Sequence, residues 1–200
     1  VLAGTGPGYQ RHQSTGPVLN GVELKIHEPD SITGEGEIWA KGPNVMQGYF
    51  NEPEITAEVM TEDGWFRTGD LGSFDNDGYL FIRGRLKNMI VGASGENIYP
   101  EEIESVINNF RHVVESVVVE QKGRLVALVH FNREELETRY KHLKEEIAET
   151  IDHKIEELRS ELQQYVNSRV NNFRQLKMVV VHAEPFEKTA TQKIKRFLYT

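Results

Sequence analysis

Cysteine is absent from this 200-residue sequence, so disulfides and thiolate metal sites are excluded. The absence of cysteine also fits a reducing compartment, and we expect a cytoplasmic location. The seven histidines are scattered and form no His-Glu-x-x-His pattern, so the sequence predicts no metal site. Apolar runs are short as well, and none reaches the roughly 20 residues that a membrane-spanning helix needs.

Positive charge is scarce in the first part of the chain. Residues 1–83 contain 5 basic and 13 acidic residues, a net charge of −8, whereas residues 84–200 contain 18 of each. This change in composition predicts a domain boundary near Gly84. The overall charge of −8 argues against general nucleic-acid binding, so no nucleic-acid partner is expected.

Short motifs rich in glycine and charged residues are concentrated in residues 64–104. The first motif reads Phe66-Arg67-Thr68-Gly69-Asp70. A short acidic side chain held in a turn by glycine is suited to accept hydrogen bonds from both hydroxyls of a ribose diol. The second motif reads Gly84-Arg85-Leu86-Lys87. A loop with Gly92 and Gly95 follows, and glycine lets the backbone approach a ligand closely because it has no Cβ.

Each motif taken singly is weak, since Thr-Gly-Asp is usually only a turn. In this order and spacing, however, the motifs resemble those of the adenylate-forming superfamily of acyl-CoA synthetases, luciferases and peptide-synthetase adenylation domains. Residues 185–196 also resemble the last motif of that superfamily, Pro-x-Thr-x-Thr/Ser-Gly-Lys-Ile-x-Arg, with Gln192 in place of the glycine. The resemblance implies activation of a carboxylate by ATP as an acyl-adenylate, followed by transfer of the acyl group to coenzyme A.

The resemblance assigns nucleotide contacts to four residues. Asp70 would hold the ribose hydroxyls, and its ordinary alternative is a turn aspartate bonded to its own backbone. Arg85 would reach ribose or phosphate, or form only a surface salt bridge. Ile82 would form an apolar floor near the nucleoside, or be simple core. Lys193 aligns with the catalytic lysine, which supplies positive charge near the carboxylate and α-phosphate, and its alternative is an ordinary exposed lysine.

Two further residues have roles in the second half-reaction. Lys87 occupies the hinge position, where rotation of the backbone lets a small domain present first Lys193 and then the glycine loop. Gly95 would line the pantetheine channel for coenzyme A, or be a plain turn glycine.

Periodicity and the resemblance together predict an α+β fold in two pieces. Residues 1–83 are expected to form a small antiparallel β subdomain of a large adenylate-forming domain, either a small barrel or a folded sheet. Residues 84–200 are expected to form a mobile lid, with a central antiparallel sheet flanked by helices. Within it, the β-branched runs 113–120 and 125–131 are expected to form an antiparallel pair, and Pro100 is expected to open a helix whose buried face includes Ile103 and Ile107.

A long helical region, about residues 133–172, lies inside the expected lid. Asn132 is predicted to cap it, with Glu135 as the capping-box partner. The apolar stripe consists of Leu136, Tyr140, Leu143, Ile147, Ile151, Ile155, Leu158 and Leu162. One unbroken helix would be about 60 Å long at ~1.5 Å per residue, so we expect a break near residues 150–152, with Asp152 as the cap of a second helix. Packing on the sheet is favoured over a coiled-coil seam.

Two motifs of the superfamily are absent from the sequence: the Ser/Thr/Gly-rich phosphate loop and Tyr-Gly-x-Thr-Glu, whose glutamate holds Mg²⁺. We therefore expect the chain to be the final third or so of such an enzyme and to be inactive alone. Its partner is expected to be a missing N-terminal large domain of the same chain, which supplies the Mg²⁺ ligand and the acyl pocket.

The tail and the long helical region resemble the bacterial long-chain fatty acid branch of the superfamily. The expected parent is therefore an AMP-forming long-chain fatty acid–CoA ligase that uses fatty acid, ATP and coenzyme A. The alternatives are an aryl-CoA or carrier-protein ligase, or a non-catalytic interaction module that uses the helices of residues 133–172. The sequence is compatible with peripheral membrane contact, and it predicts no oligomeric state.

Overall fold

The chain divides between Asn88 and Met89 into two units, Val1–Asn88 and Met89–Thr200. The computed structural model describes residues 1–92, 95–140 and 147–200. The division falls a few residues after the boundary expected near Gly84, because Gly84 and Arg85 still pair within the last strand of the first unit.

The first unit contains one five-stranded sheet with the strand order β1-β5-β4-β3-β2. Every pairing in this sheet is antiparallel, as predicted. Its elements are β1 Gly16–Pro17, β2 Glu23–His27, β3 Gly36–Lys41, α1 Pro53–Val59, β4 Phe66–Phe74 and β5 Tyr79–Arg85.

A tight turn joins β4 to β5, as the Asp-Asn-Asp-Gly sequence predicts. Asp75 Oδ1 accepts hydrogen bonds from the amides of Asp77 (3.0 Å) and Tyr79 (2.9 Å). Gly78 has φ +79°, a left-handed conformation that glycine adopts without steric cost. Arg11 forms ion pairs with Asp75 and Asp77, so the irregular N-terminal segment is tied to this turn.

The second unit contains a three-stranded sheet, β10-β9-β8, and a two-stranded sheet, β6-β7. Five helices or helical segments accompany the strands among the described residues, including short 3₁₀ turns at Asn172–Arg174 and Arg196–Leu198. The remaining elements are β6 Ile90–Val91, β7 Asn97–Ile98, α2 Pro100–Asn108, β8 Val113–Gln121, β9 Arg124–Phe131, α3 Arg133–Tyr140, α4 Ile147–Asn167 and β10 Met178–Val181.

The sheet of the second unit is mixed. β8 and β9 form the predicted antiparallel hairpin, but β10 pairs parallel to β9, with Met178 opposite Val126 and Val181 opposite Val129. The chain passes through α3 and α4 between β9 and β10, and a helical crossover of this kind returns the chain to the same end of the sheet. The α+β class is confirmed, with one parallel pairing added.

The two faces of this sheet are covered differently. Along β8 successive side chains point to opposite faces. Val118 packs in the larger core with α2 and α4, whereas Val117 and Val119 pack in a smaller core that contains Phe186 from the C-terminal tail. The strand therefore holds the helices on one side and the tail on the other.

Helix α4 carries the apolar stripe into the larger core. Ile151, Ile155, Leu158 and Leu162 are all buried there, so the stripe packs against α2 and the sheet, as favoured above. The predicted break at residues 150–152 is wrong, because α4 runs without interruption from Ile147 to Asn167. The described part of α3 runs from Arg133 to Tyr140, and residues 141–146 lie outside the described residues.

Some details of the helical region differ from expectation or cannot be compared. Asp152 lies inside α4 and pairs with Arg133 at 3.0 Å, so it does not begin a helix. Leu143 lies outside the described residues, as do the side chains of Tyr140 and Ile147.

Only one of the two hydrogen bonds of the predicted capping box forms at the start of α3. Asn132 Oδ1 accepts the Glu135 amide hydrogen at 3.0 Å, as predicted. The Asn132 amide, however, donates to the His112 carbonyl at 2.8 Å, and the Glu135 carboxylate lies 3.0 Å from His112 Nδ1. The second half of the predicted capping box, a hydrogen bond from the Asn132 amide to the Glu135 carboxylate, is therefore wrong. The His112 carbonyl of a neighbouring loop accepts that amide hydrogen instead.

Candidate functional site

The Thr-Gly-Asp motif lies within β4, at a point where the strand is locally distorted. Gly69 has φ +70°, which a residue with a side chain rarely adopts. Thr68 Oγ1 donates to the Ile38 carbonyl on β3 at 2.6 Å and accepts the Asp70 amide hydrogen at 3.0 Å. These bonds fix the backbone from which the Asp70 carboxylate projects.

Glu37 on β3 supports the same turn from the neighbouring strand. Its Oε1 accepts the Gly69 amide hydrogen at 3.0 Å, and its Oε2 accepts Trp39 Nε1–H at 2.8 Å. The β3–β4 register shifts between Glu37 and Trp39, and such irregularities often re-aim side chains at functional sites. No sequence pattern identifies Glu37 as a site residue, because only the pairing of β3 with β4 brings it to Gly69.

Asp70 and Arg85 face each other across β4 and β5. Arg85 Nε lies 2.7 Å from Asp70 Oδ1, and Arg85 Nη1 donates to the Thr68 carbonyl at 3.3 Å. The side chains remain 32% and 43% exposed, so the pair adds little stability but leaves both groups accessible to a ligand. The structure thus brings together two of the residues that the motifs single out.

Ile82 lies on β5 opposite Gly72. Ile82 is 47% exposed in this chain. An exposed apolar side chain on the strand that carries Arg85 can contact a flat apolar ligand surface.

Lys193 lies in a small hairpin of the C-terminal tail, and it is exposed. Lys188 and Ile194 form an antiparallel bridge at the base of the hairpin. The Thr189 amide donates to the Lys193 carbonyl at 2.8 Å, and the Lys193 amide donates to Thr189 Oγ1 at 3.2 Å. Thr189, the first of the two threonines in the motif, therefore closes the loop that contains Lys193.

Gln192 takes the left-handed conformation that the motif glycine would provide. Its φ is +63°, and its amide donates to the Thr189 carbonyl at 2.9 Å. The hairpin thus forms with glutamine at this position, although a residue with a Cβ is disfavoured here by about 1–2 kcal/mol.

We expect Gln192→Gly to keep the hairpin and Gln192→Val to destabilise it by about 1–2 kcal/mol, because a β-branched residue tolerates positive φ poorly. Hydrogen exchange of the Thr189 and Lys193 amides measures this. Equal exchange rates in the two variants would contradict the assigned backbone conformation. Ala190→Val, in the same turn but without positive φ, is the matched control for adding a β-branched apolar side chain.

A carboxylate of α2 anchors the end of the tail. Glu104 is 8% exposed and accepts the Val118 amide hydrogen at 2.6 Å and Arg196 Nη2–H at 2.7 Å. Arg196 Nη1 donates in turn to the Val118 carbonyl at 2.8 Å. Burial raises the pKa of the Glu104 carboxyl above its ordinary value, and the bonds from Arg196 and Val118 oppose that rise.

A carboxylate of β8 anchors the start of the tail. Glu115 is also 8% exposed; its Oε1 accepts the Phe186 amide hydrogen at 2.8 Å, and its Oε2 lies 2.6 Å from Lys188 Nζ. The Phe186 ring packs against His182 and Tyr199, with centroids 4.6 and 4.9 Å away. No sequence pattern identifies Glu104 and Glu115 as anchors, because each has the local sequence of an ordinary acidic residue in a helix or a strand.

The other two predicted residues lie near the beginning of the second unit. Lys87 is exposed in a short 3₁₀ turn, Leu86–Asn88, that ends the first unit. Gly95 has φ +86° and donates its amide hydrogen to the Gly92 carbonyl at 2.9 Å. Residues 93 and 94 of this loop lie outside the described residues.

Within the described ranges 1–92, 95–140 and 147–200, no group of three or more His, Asp or Glu side chains could hold a metal ion. No helix in these ranges combines the length and the apolar character needed to cross a membrane.

Comparison with known proteins identifies the class. The family described as "AMP-binding enzyme C-terminal domain" matches residues 87–199. The chain therefore belongs to the AMP-binding enzymes and contains their C-terminal domain, which confirms the resemblance to the adenylate-forming superfamily.

The relatives in this family include several CoA ligases. The long-chain-fatty-acid–CoA ligase heimdall of Drosophila melanogaster is 47% identical over 106 residues, which are 53% of this chain and 15% of that protein. The indoleacetate–CoA ligase of Aromatoleum aromaticum is 50% identical over 90 residues, which are 45% of this chain and 17% of that protein. The chain thus spans less than a fifth of either relative.

Solved structures share the fold over nearly the whole chain. O-succinylbenzoate coenzyme A synthetase from Bacillus subtilis in complex with AMP gives a TM-score of 0.72 at 30% identity, over 94% of this chain and 35% of that one. The same enzyme in complex with ATP and magnesium ion gives a TM-score of 0.71. In these structures the Bacillus subtilis enzyme binds AMP, or ATP and magnesium ion.

Proposed function

We propose that this chain is the C-terminal portion of an AMP-forming acid–thiol ligase, which activates a carboxylic acid as acyl-adenylate and transfers the acyl group to coenzyme A. The observation that carries the proposal is the Asp70–Arg85 pair, an accessible carboxylate held 2.7 Å from a guanidinium on the adjacent strand. A carboxylate accepts both hydroxyl hydrogens of a ribose diol, and the guanidinium beside it suits ribose or phosphate oxygens.

The first half-reaction brings two anions together, the substrate carboxylate and the α-phosphate of ATP. Lys193 supplies the opposing positive charge as a compact ammonium, and its exposed place in a hydrogen-bonded hairpin suits that task. Asp70 and Arg85 hold the ribose, with Ile82 against the nucleoside.

The second half-reaction requires the small domain to present a different surface. We assign the backbone rotation to Lys87, which lies in the exposed turn beside the division between the two units. Gly95 lines the path of the pantetheine group, where an exposed glycine leaves room for a narrow chain. A larger N-terminal domain supplies the Mg²⁺ ligand and the acyl pocket, and it is the intramolecular partner of this chain.

The acid we favour is a long-chain fatty acid. Relatives from Drosophila melanogaster, Xenopus laevis and Mycobacterium tuberculosis are long-chain-fatty-acid–CoA ligases, at 39–47% identity. An aryl acid is the second candidate, because the indoleacetate–CoA ligase is 50% identical over its matched 90 residues. Competition between palmitate and indoleacetate for adenylation by the full-length protein separates the two.

Asp70→Ala is expected to weaken ATP binding to the full-length protein by about 1.5–3 kcal/mol, roughly 10–150-fold in Kd, because charge-assisted hydrogen bonds to the ribose are lost. Calorimetric titration with ATP and with 2′,3′-dideoxy-ATP measures this. The parent should prefer ATP, and the variant should bind both alike.

Asp63→Ala is the matched control, since Asp63 is a fully exposed turn aspartate shortly before β4. Unchanged ATP affinity in Asp70→Ala would contradict the ribose role. The absence of any nucleotide binding by the parent would favour the non-catalytic interaction module instead.

A further inference from the structure

The hairpin that presents Lys193 is too small to hold its own shape. It contains one antiparallel bridge, Lys188 to Ile194, flanked by two backbone hydrogen bonds of 2.8 Å: the Thr189 amide to the Lys193 carbonyl and the Lys195 amide to the Glu187 carbonyl. An isolated two-stranded hairpin is marginally stable at best in water. Something outside the hairpin must therefore restrict where Lys193 points.

Two buried carboxylates lie at the two ends of this hairpin. Glu115 on β8 bonds the Phe186 amide and the Lys188 ammonium just before the hairpin. Glu104 on α2 bonds the Arg196 guanidinium just after it. Both anchors belong to regular elements of the core, and neither is on a loop.

The two anchors are also connected to each other through β8. Glu104 accepts the Val118 amide hydrogen, and Arg196 donates to the Val118 carbonyl, so the Glu104–Arg196 pair holds both polar groups of one β8 residue. Glu115 lies three positions earlier on the same strand. A rigid strand thus sets the separation between the start and the end of the hairpin.

We propose that Glu104 and Glu115 are positioning residues for Lys193: together they hold the ends of the hairpin, so that its ammonium is presented in one orientation. This inference rests on the proposed function, in which Lys193 acts at the α-phosphate. A displacement of about 1 Å at a reacting group can reduce the rate by up to about 10²-fold, so loosening either anchor should be costly.

The conservative variants Glu104→Gln and Glu115→Gln keep a hydrogen-bond acceptor and remove the ion pair. In the full-length protein each is expected to lower adenylation about 10-fold to 10²-fold, and to leave thioester formation from supplied acyl-adenylate unchanged. In a Lys193→Ala background neither should cause a further loss, because an anchor that acts through Lys193 has nothing left to position.

Glu120→Gln is the matched control. Glu120 lies on the same strand, but it is exposed, and its carboxylate accepts the Gly123 amide hydrogen in the turn that follows, at 3.1 Å. This variant should change neither half-reaction.

Hydrogen exchange on residues 1–200 tests the anchoring without any reference to activity. The amides of Thr189, Gln192 and Lys193 should exchange several-fold faster in both glutamine variants, while amides of β9 keep the rates of the parent. If Glu115→Gln does not fold, Lys188→Met removes the same ion pair from the tail side.

Two outcomes would overturn the inference while leaving the proposed function intact. One is a normal adenylation rate in both glutamine variants when Lys193→Ala is slow. The other is an equal loss with and without Lys193, which indicates a structural role alone. If Lys193→Ala itself adenylates normally, the role of Lys193 in the proposed function fails, and the exchange data still decide whether the carboxylates anchor the hairpin.

Discussion

Lys193→Ala is expected to lower adenylation by about 10²–10³-fold in the full-length protein, by analogy with the loss of one oxyanion-hole donor. The ammonium is needed only while negative charge builds up between the substrate carboxylate and the α-phosphate. Thioester formation from pre-made acyl-adenylate should therefore change little. Two rates measured on one variant, pyrophosphate release and acyl-CoA formation from supplied acyl-adenylate, check this expectation.

Lys195→Ala is the matched control, because Lys195 lies two positions along the same tail and its ammonium pairs with Glu187 at 3.2 Å near the surface. It should adenylate at close to the rate of the parent. Adenylation by Lys193→Ala at the parent's rate would remove the catalytic role. An equal loss in both half-reactions would instead indicate that Lys193 supports the fold of the tail.

Arg196→Met is expected to destabilise the second unit by about 3 kcal/mol near pH 8. The variant leaves the buried Glu104 carboxylate without its cation, and breaking a buried pair from one side costs about 3–5 kcal/mol. Arg196 is 18% exposed, so the lower end of that range is expected.

The loss should shrink as the pH falls. Burial already raises the pKa of Glu104 in the folded protein, and removal of Arg196 raises it further. A carboxyl with a raised folded pKa binds protons more tightly in the folded than in the unfolded state. The free energy of unfolding therefore falls as pH rises through that pKa, and it recovers in acid, where Glu104 is protonated.

Chemical denaturation at several pH values measures the free energy of unfolding, and a separate signal follows each unit. Both tryptophans, Trp39 and Trp65, lie in the first unit, so their fluorescence should not change with the variant. Far-UV circular dichroism follows α2 and α4 of the second unit. The double variant Glu104→Gln/Arg196→Met should lose the pH-dependent part, and a loss independent of pH in the single variant would contradict the Glu104 assignment.

Local sequence was sufficient for most elements of this fold. The alternation of apolar and polar residues over 21–26 predicts β2, and the Asp-Asn-Asp-Gly turn predicts the β4–β5 hairpin, because such signals depend on neighbours within a few positions. Proline and the helical spacing of Ile103 and Ile107 predicted α2 for the same reason. The motifs also identified Asp70, Arg85 and Lys193 as candidate site residues, since they are short and ordered along the chain.

Other features depended on contacts between distant parts of the chain. The direction of β10 is set by a helical crossover, and the supports of the motifs come from Glu37, Glu104 and Glu115, each on an element remote in sequence from the group that it holds. A carboxylate has the same appearance in sequence whether it is solvated or buried. Only burial and a nearby amide or guanidinium make it an anchor, because these determine whether desolvation of its charge is compensated.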